Sequence, residues 1–367
     1  MADVGKLQKL LAKKAQKQKI AKYSVELYKD IEKSWRYIDF WDVRRNKPNL
    51  VLEWLFGCRG LLAGRVLFIR GDAHAGKTSF VINLFAMGLK TGNVYPIYME
   101  TEKAPLTKER VMELGIDLDS FIMLEPLGLV ECLEEVESII LTIREQLDKA
   151  KQYPILIGID SVSGLANESI DPNTGKLLSG SKASGLHSRE FSSFFRNKLT
   201  FMSHNYACLI LTGQLKSKIQ QGTFGGFGGG SEKTTIAEGA IKYHATWQID
   251  LTRLKSTEAG ASAIKFRVTK NKIKGTSQNK EIILNLYEDE RGWDYTDAFI
   301  GLLKGNYSPF SANELIDSKN GRYGLVGYND GKTMLKEEFV DFILSNDELI
   351  TKIRKAWKIK GYDTEDA

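Results

Sequence analysis

A short glycine-containing segment has the residue types and spacing that bind the phosphates of a nucleotide. It follows the apolar run Val66–Ile69 and precedes a helical pattern over residues 78–91. Glycines let backbone N–H groups curl around phosphate oxygens, and the N-terminus of the following helix adds a favourable dipole. In this pattern, G-x-x-x-x-G-K-[ST], Lys77 is predicted to reach the β- and γ-phosphates and Thr78 to bind Mg²⁺ through its hydroxyl. The predicted nucleotide-binding residues are Gly71, Asp72, Ala73, His74, Ala75, Gly76, Lys77, Thr78 and Ser79.

Polar residues also follow three other strand-like runs, namely Val94–Met99, Ile155–Ile159 and Cys208–Thr212. Because the carboxyl ends of parallel strands meet at one edge of an open sheet, we expect these polar groups beside the phosphate loop. Asp160 would share the Mg²⁺ with Thr78. A carboxylate of Glu100-Thr101-Glu102 would activate the attacking water. The amide of Gln214 would sense the γ-phosphate.

The order of apolar runs and helical patterns predicts an α/β fold. From about residue 63 the short apolar runs alternate with helical stretches, which is typical of a mostly parallel twisted sheet with helices on both faces. After residue 240 the pattern becomes strand after strand, at Thr246–Leu254, Ala263–Thr269 and Glu281–Tyr287. These strands are expected to be antiparallel and to extend one edge of the sheet.

The composition excludes several classes of protein. The chain has 367 residues, of which 42% are hydrophobic and 27% charged, so a largely disordered chain is excluded. No apolar run reaches the ~18 residues of a membrane span. The Lys-rich N-terminal stretch lacks the apolar core of a signal peptide, so we expect a cytoplasmic location and no membrane partner. Cys58, Cys132 and Cys208 are too dispersed for a disulfide framework or a zinc site, and we predict buried free thiols. The net charge of +6 permits a polyanionic partner without requiring one.

Together and in this order, these motifs resemble those of the RecA family of recombinases, particularly its phage UvsX-like branch. The matching segments beyond the phosphate loop are Tyr98–Glu102, Ile159–Val162, Gln214, Gly239–Ala245 with Ile249–Leu251, and Val268–Lys272. The resemblance covers about residues 60–290 and, more loosely, residues 320–361. It implies a RecA-like P-loop ATPase core with an N-terminal helix and a small helix-rich C-terminal region.

The resemblance also implies roles for individual residues. Glu102 matches the catalytic glutamate, and Gln214 matches the glutamine that couples ATP to DNA. Lys270 and Lys272 match lysines that reach ATP across a subunit interface, and residues two apart on a strand share a face. The family's base-binding segment is replaced here by Pro105–Arg110, where the guanidinium plane of Arg110 can stack on adenine.

Two loops are expected to contact DNA, one at about residues 164–185 and one at about 215–235. The second contains a glycine-rich run that is too low in complexity to build a packed core. Lysines neutralise phosphates, and phenylalanines offer surfaces for base stacking. The predicted DNA-binding residues are Lys176, Lys182, Lys216, Lys218, Phe224, Phe227 and Lys233.

The predicted organisation has four parts: a basic oligomerisation helix over residues 1–33, a linker and subunit-docking segment over 34–62, the ATPase core over 63–295 and a helix-rich region over 296–367. The function that follows is an ATP- and Mg²⁺-dependent recombinase. It would form helical filaments on single-stranded DNA and pair them with double-stranded DNA. Single-strand-binding and mediator proteins would be its accessory partners. We expect it in the cytoplasm, which would be that of a bacterial host if the protein is encoded by a phage. A ring helicase with the same core and a non-catalytic, nucleotide-dependent mediator are the alternatives.

Overall fold

The computed structural model of the chain describes residues 36–362, apart from residues 93, 103–105, 127, 152, 166–185, 218–232, 257, 312 and 318–319. The chain divides into two units, residues 1–36 and 37–367, and every element named here belongs to the second. The helix predicted over residues 1–33 lies outside the described residues. In the described part, no helix is both long and apolar enough to cross a bilayer.

The strands, in chain order, are β1 (Tyr37–Asp39), β2 (Trp41–Asp42), β3 (Lys47–Pro48), β4 (Gly60–Leu62), β5 (Val66–Gly71), β6 (Tyr95–Glu100), β7 (Ile122–Leu124), β8 (Ile155–Asp160), β9 (Ala207–Gln214), β10 (Lys216–Ser217), β11 (Lys233–Thr234), β12 (Trp247–Leu254), β13 (Ala261–Asn271), β14 (Glu281–Tyr287), β15 (Trp293–Asp294), β16 (Leu315–Asp317), β17 (Arg322–Leu325) and β18 (Met334–Leu335). The α-helices are α1 (Leu50–Phe56), α2 (Lys77–Thr91), α3 (Lys108–Glu113), α4 (Leu129–Thr142), α5 (Leu186–His204), α6 (Glu238–His244), α7 (Thr296–Lys304), α8 (Lys336–Leu344) and α9 (Asp347–Trp357). A π-helical turn, Ile143–Leu147, continues α4.

A nine-stranded sheet forms the centre of the fold, in the order β15-β14-β13-β12-β5-β9-β8-β6-β7. The strands from β12 to β7 in this order run parallel, whereas β13, β14 and β15 are joined antiparallel to β12 and to one another. The predicted α/β class and the predicted antiparallel edge are both confirmed. The central parallel strands β5 and β8 are buried on both faces, which is why they read in the sequence as unbroken apolar runs.

Helices cover both faces of this sheet. On one face, α4 and α5 contribute Val136, Phe191 and Phe195 to a buried cluster with alternate residues of the strands. On the other face, α2 packs against Gly158 in β8. An ideal Cβ at Gly158 would lie only 3.0 Å from the rings and methyls of Phe85 and Val81, so the glycine permits this close approach of α2.

The part of residues 34–62 that the structure describes packs on the core. Strand β1 pairs with β4, β2 pairs with β3, and all of α1 is buried between them and the rest of the unit. Its role in subunit docking stays a prediction. Residues 296–362 contain α7, α8 and α9, as a helix-rich region requires, and also the three-stranded antiparallel sheet β16-β17-β18.

A buried ion pair joins these two outer parts. The Glu53 carboxylate in α1 accepts hydrogen bonds from Arg354 Nη2 at 2.7 Å and from Tyr362 Oη at 2.9 Å. Burial raises the pKa of Glu53, and the contacts with Arg354 and Tyr362 oppose that rise. The first described helix and the last are thereby held together.

Candidate nucleotide-binding site

The phosphate loop is the turn between the end of β5 and the start of α2. The backbone leaves β5 at Gly71 and enters α2 at Lys77. His74 and Gly76 take left-handed conformations, with φ of 58° and 79°. Glycine adopts that conformation without a steric penalty, which explains its place directly before the helix.

The Lys77 side chain lies along this loop. Its Nζ donates hydrogen bonds to the carbonyl oxygens of Asp72, at 2.8 Å, and of Gly71, at 3.2 Å. Only 8% of Lys77 is exposed. Burial lowers its pKa, while the charges of Asp160, Glu102 and Asp72 oppose the shift. The Lys77 ammonium, which is predicted to bind phosphate, is thus held against the backbone of the loop.

Two hydroxyl groups hold the buried carboxylate of Asp160 at the end of β8. The Tyr98 hydroxyl in β6 donates to Oδ2 at 2.9 Å, and the Thr212 hydroxyl in β9 donates to Oδ1. Burial and the nearby carboxylates of Asp160 and Glu100 raise the pKa of Tyr98, so its phenol keeps the proton and remains a donor. Neither hydroxyl was predicted as part of the site. The signal available in the sequence was that both lie on strands whose ends carry predicted site residues.

The Glu102 carboxylate contacts two other strand ends. Its Oε1 accepts hydrogen bonds from Gln214 Nε2, at 3.0 Å, and from the Ser161 hydroxyl. The peptide bond between Asp160 and Ser161 is cis. Glu100 lies behind this group, because its Oε1 accepts a hydrogen bond of 2.7 Å from the backbone N–H of Glu102 and its side chain is buried. Glu102 therefore faces the site, while Glu100 supports its backbone.

Lys77, Glu102, Asp160 and Gln214 all line one cavity of about 580 Å³. That volume lies within the range of small-molecule sites, about 300–1,000 Å³. The predicted residues that line it are Ala73, His74, Ala75, Gly76, Lys77, Thr78, Ser79, Glu102, Arg110, Asp160 and Gln214. Gly71 and Asp72 take part through the carbonyl oxygens that bind Lys77.

The antiparallel edge supplies a wall of the cavity that the sequence did not predict. Its residues are Arg253, Ser262, Ile264, Leu286 and Glu288. They form no motif, and only their place in neighbouring strands brings them together. Arg110 is fixed beside this wall, because its Nη1 binds Glu113 Oε2 at 3.0 Å and its Nη2 donates to Tyr287 O at 3.1 Å.

The donor set fits a magnesium ion bound together with a triphosphate. Among the described residues, no group of three or more His, Cys, Asp or Glu side chains could hold a metal ion. Mg²⁺ bound with nucleotide phosphates ordinarily takes one or two carboxylates and completes its shell with phosphates and waters. The Thr78 hydroxyl and the Asp160 carboxylate, which line the same cavity, match that requirement.

Lys270 and Lys272 converge on one target, but they do not line the cavity of their own chain. Lys270 Nζ and Lys272 Nζ donate to Tyr243 O, at 3.2 and 3.0 Å, and Lys270 also binds Lys242 O. These carbonyls lie at the C-terminal end of α6. Burial and the charge of Lys272 lower the pKa of Lys270 to about 8. Burial, together with the charges of these two lysines, lowers the pKa of His244.

Only the ends of the second predicted DNA loop fall within the described residues. Strands β10 and β11 pair antiparallel, with Ser217 opposite Lys233. Lys218, Phe224 and Phe227 lie outside the described residues, and so do Lys176 and Lys182 of the first loop.

An ion-pair network connects the base of this second loop to the phosphate-loop strand. Arg70, directly before Gly71, binds both carboxylate oxygens of Asp250 at 2.7 Å and also binds Glu238. Glu238 in turn accepts hydrogen bonds from the Thr234 hydroxyl at 2.8 Å and the Thr235 N–H at 3.1 Å.

Fold and site define a P-loop nucleotide-binding protein with a mixed α/β core. Residues 44–289 match the family model of the RecA N-terminal domain. The chain therefore belongs to the RecA family, as its motifs predicted.

Several curated relatives support this assignment. Protein RecA of Sulfurimonas denitrificans is 28% identical over 329 residues, which cover 87% of this chain and 86% of the relative. Protein RecA of Leifsonia xyli subsp. xyli is 24% identical over 318 residues, covering 85% and 79%. The DNA repair protein recA homolog 3, mitochondrial, of Arabidopsis thaliana is 26% identical over 240 residues, covering 62% and 51%.

Proposed function

We propose that this RecA-family protein is an ATP- and Mg²⁺-dependent DNA recombinase most similar to the phage UvsX-like branch. It assembles as a helical filament on single-stranded DNA and catalyses homologous pairing and strand exchange with double-stranded DNA. The contact between Gln214 and Glu102 carries the proposal, because it joins the residue that begins a predicted DNA loop to the carboxylate that faces the nucleotide cavity.

Hydrolysis of ATP follows from the side chains around the cavity. Thr78 and Asp160 would hold Mg²⁺, which would neutralise part of the phosphate charge. The Lys77 ammonium offsets the negative charge of the β- and γ-phosphates. Gln214 and Ser161 both donate to Oε1 of Glu102, which leaves Oε2 to accept the proton of the attacking water.

Coupling to DNA follows from the position of Gln214 at the end of β9. The next residue, Leu215, donates its N–H to Gly71 O at 3.1 Å, and β10 then pairs with β11 at the base of the second loop. A movement of the Gln214 amide from Glu102 toward the γ-phosphate would shift both the carboxylate and the start of the loop. Loss of the γ-phosphate reverses that movement, so hydrolysis acts as a release switch.

Base recognition and assembly use residues at the edge of the site. Ile264 and Leu286 give the cavity an apolar wall, and the fixed guanidinium of Arg110 offers a plane for adenine. Lys270 and Lys272 do not line the cavity of their own chain, which suits a role at the nucleotide of a neighbouring subunit. Residues 1–33 and 34–62 are proposed to mediate that assembly. We place the protein in the cytoplasm, with single-strand-binding and mediator proteins as accessory partners.

The proposal is tested by measuring ATP turnover with and without single-stranded DNA, strand exchange between homologous substrates, and assembly by negative-stain microscopy. We expect DNA-stimulated turnover, filaments and strand exchange, with all turnover lost in Lys77→Ala. Gln214→Ala should still bind nucleotide but lose the stimulation of turnover by DNA. Closed rings without strand exchange would indicate a helicase, and nucleotide binding without turnover would indicate a mediator; either result overturns the proposal.

A further inference from the structure

The carboxylate of Asp160 is held from both sides by hydroxyl groups of neighbouring strands. Tyr98 Oη lies 2.9 Å from Oδ2, and the Thr212 hydroxyl binds Oδ1. Tyr98 and Thr212 are both 0% exposed, and Asp160 is 4% exposed. A carboxylate this deeply buried needs hydrogen-bond donors, and here each oxygen has one.

This arrangement fixes the plane of the carboxylate. Each carboxylate oxygen has two lone pairs, so one donor on each leaves one lone pair per oxygen for the cavity. A carboxylate with a single donor could still rotate about its Cβ–Cγ bond. Two donors on opposite oxygens, carried by β6 and β9 on either side of β8, resist that rotation.

Tyr98 also connects the two sides of the site. Its hydroxyl lies 3.4 Å from Glu100 Oε2, and Glu100 Oε1 accepts the backbone N–H of Glu102 at 2.7 Å. The tyrosine ring is held independently of its hydroxyl, because it packs against Phe85 and Phe121 with centroids 6.3 and 5.8 Å away. The hydroxyl can therefore be removed while the ring stays in place.

We propose that Tyr98, assisted by Thr212, is a positioning residue that orients Asp160 toward the magnesium ion of a bound nucleotide and fixes its place relative to Glu102. The inference rests on the proposed function, since it requires a magnesium nucleotide in this cavity. Outer-shell partners of metal ligands commonly change metal affinity by about 10–100-fold when they are removed.

The test compares Tyr98→Phe and Thr212→Val with the wild-type chain in a binding assay that needs no turnover. Fluorescent ATP is titrated in EDTA and then at increasing MgCl₂, and thermal unfolding reports folding. We expect each variant to raise the half-saturating Mg²⁺ concentration by about tenfold, and its affinity for nucleotide in EDTA to stay within about twofold. Tyr95→Phe, the same change at the other end of β6, is the matched control and should behave as wild type.

Two negative results have different meanings. A wild-type chain that binds no nucleotide with Mg²⁺ overturns the proposed function and this inference with it. A wild-type chain that shows Mg²⁺-dependent binding, with unchanged half-saturation in the folded variants, overturns the inference alone. If Tyr98→Phe does not fold, Thr212→Val decides.

Discussion

Gln214 Nε2 lies 3.0 Å from Oε1 of Glu102 and donates a hydrogen bond to it. Gln214 ends β9 and Glu102 lies two residues beyond β6, and these strands are separated in the sheet by β8. The bond therefore spans the carboxyl edge of the sheet, over the strand that ends in Asp160. It places the start of a loop predicted to bind DNA in contact with the carboxylate predicted to activate water.

Replacing Glu102 by Gln should slow ATP hydrolysis by about 10²–10⁴-fold, because an amide keeps the shape but cannot accept the proton of water. Nucleotide binding and filament formation should persist, since Lys77 and Thr78 are unchanged. Steady-state turnover and fluorescent-nucleotide binding measure the two effects.

Glu100→Gln is the matched control for that substitution. Glu100 accepts the backbone N–H of Glu102, and an amide oxygen can still do so. Its turnover should therefore exceed that of Glu102→Gln by at least tenfold. The reverse order would identify Glu100 as the proton acceptor.

Replacement of residues 218–232 by a short Gly-Ser linker should weaken binding to single-stranded DNA and remove DNA-stimulated turnover together. This design keeps the β10–β11 pair, and hence Glu238 and its partners, intact. Basal nucleotide binding should persist because the phosphate loop lies between β5 and α2. Fluorescence anisotropy at moderate salt measures the DNA affinity, and an unchanged value would show that the segment is only a connector.

A chain with Lys270→Ala and Lys272→Ala should bind ATP but hydrolyse it poorly on DNA, because both ammonium groups would serve a neighbouring subunit. Lys77→Ala should also be inactive. Mixtures of the two should recover part of the DNA-stimulated turnover, since an intact cavity on one subunit meets intact lysines on the next. Microscopy must show that the two chains co-assemble. If co-assembled mixtures recover no turnover at any ratio, the lysines act on the nucleotide of their own chain or do not contribute to turnover.

The lowered pKa of Lys270 predicts a pH dependence. With a pKa of about 8, its charge is present below that pH and is lost as the pH rises through it. DNA-stimulated turnover should therefore fall on the alkaline side, at or above pH 8, since bound phosphate favours the charged form. Lys270→Arg keeps its charge across this range. The turnover of this variant should therefore not decrease at alkaline pH. If its pH profile is identical to that of the wild-type chain, the decrease is caused by another group.

Glu53→Ala should destabilise the fold strongly. It leaves the guanidinium of Arg354 without its buried partner, and breaking such a pair costs about 3–5 kcal/mol of unfolding free energy. Glu137→Ala is a suitable control, because the Glu137–Lys198 pair is about one-third exposed on each side. Its loss should change stability by about 0–1 kcal/mol. Denaturant unfolding measures the loss of stability in both variants. Similar unfolding midpoints would show that Arg354 finds another partner when Glu53 is removed.

Much of the site could be predicted from the sequence because its main parts are local patterns at strand ends. The phosphate loop is a continuous segment, and Glu102, Asp160 and Gln214 each follow an apolar run. The rule that parallel strands share a carboxyl edge was sufficient to place them together. The roles of Glu102 and Gln214 came instead from the resemblance to a family, and they stay predictions.

The tertiary structure decided the contacts that depend on strand register and strand order. The Tyr98 and Thr212 hydroxyls meet Asp160 only because β6 and β9 flank β8, although the three residues are more than fifty positions apart in the chain. The wall formed by Ile264 and Leu286 likewise arises where β13 and β14 pair. No local periodicity encodes such pairs, since each side chain alone is compatible with an ordinary buried strand. Their function follows from which strand becomes the neighbour, and the packing of the whole sheet determines that choice.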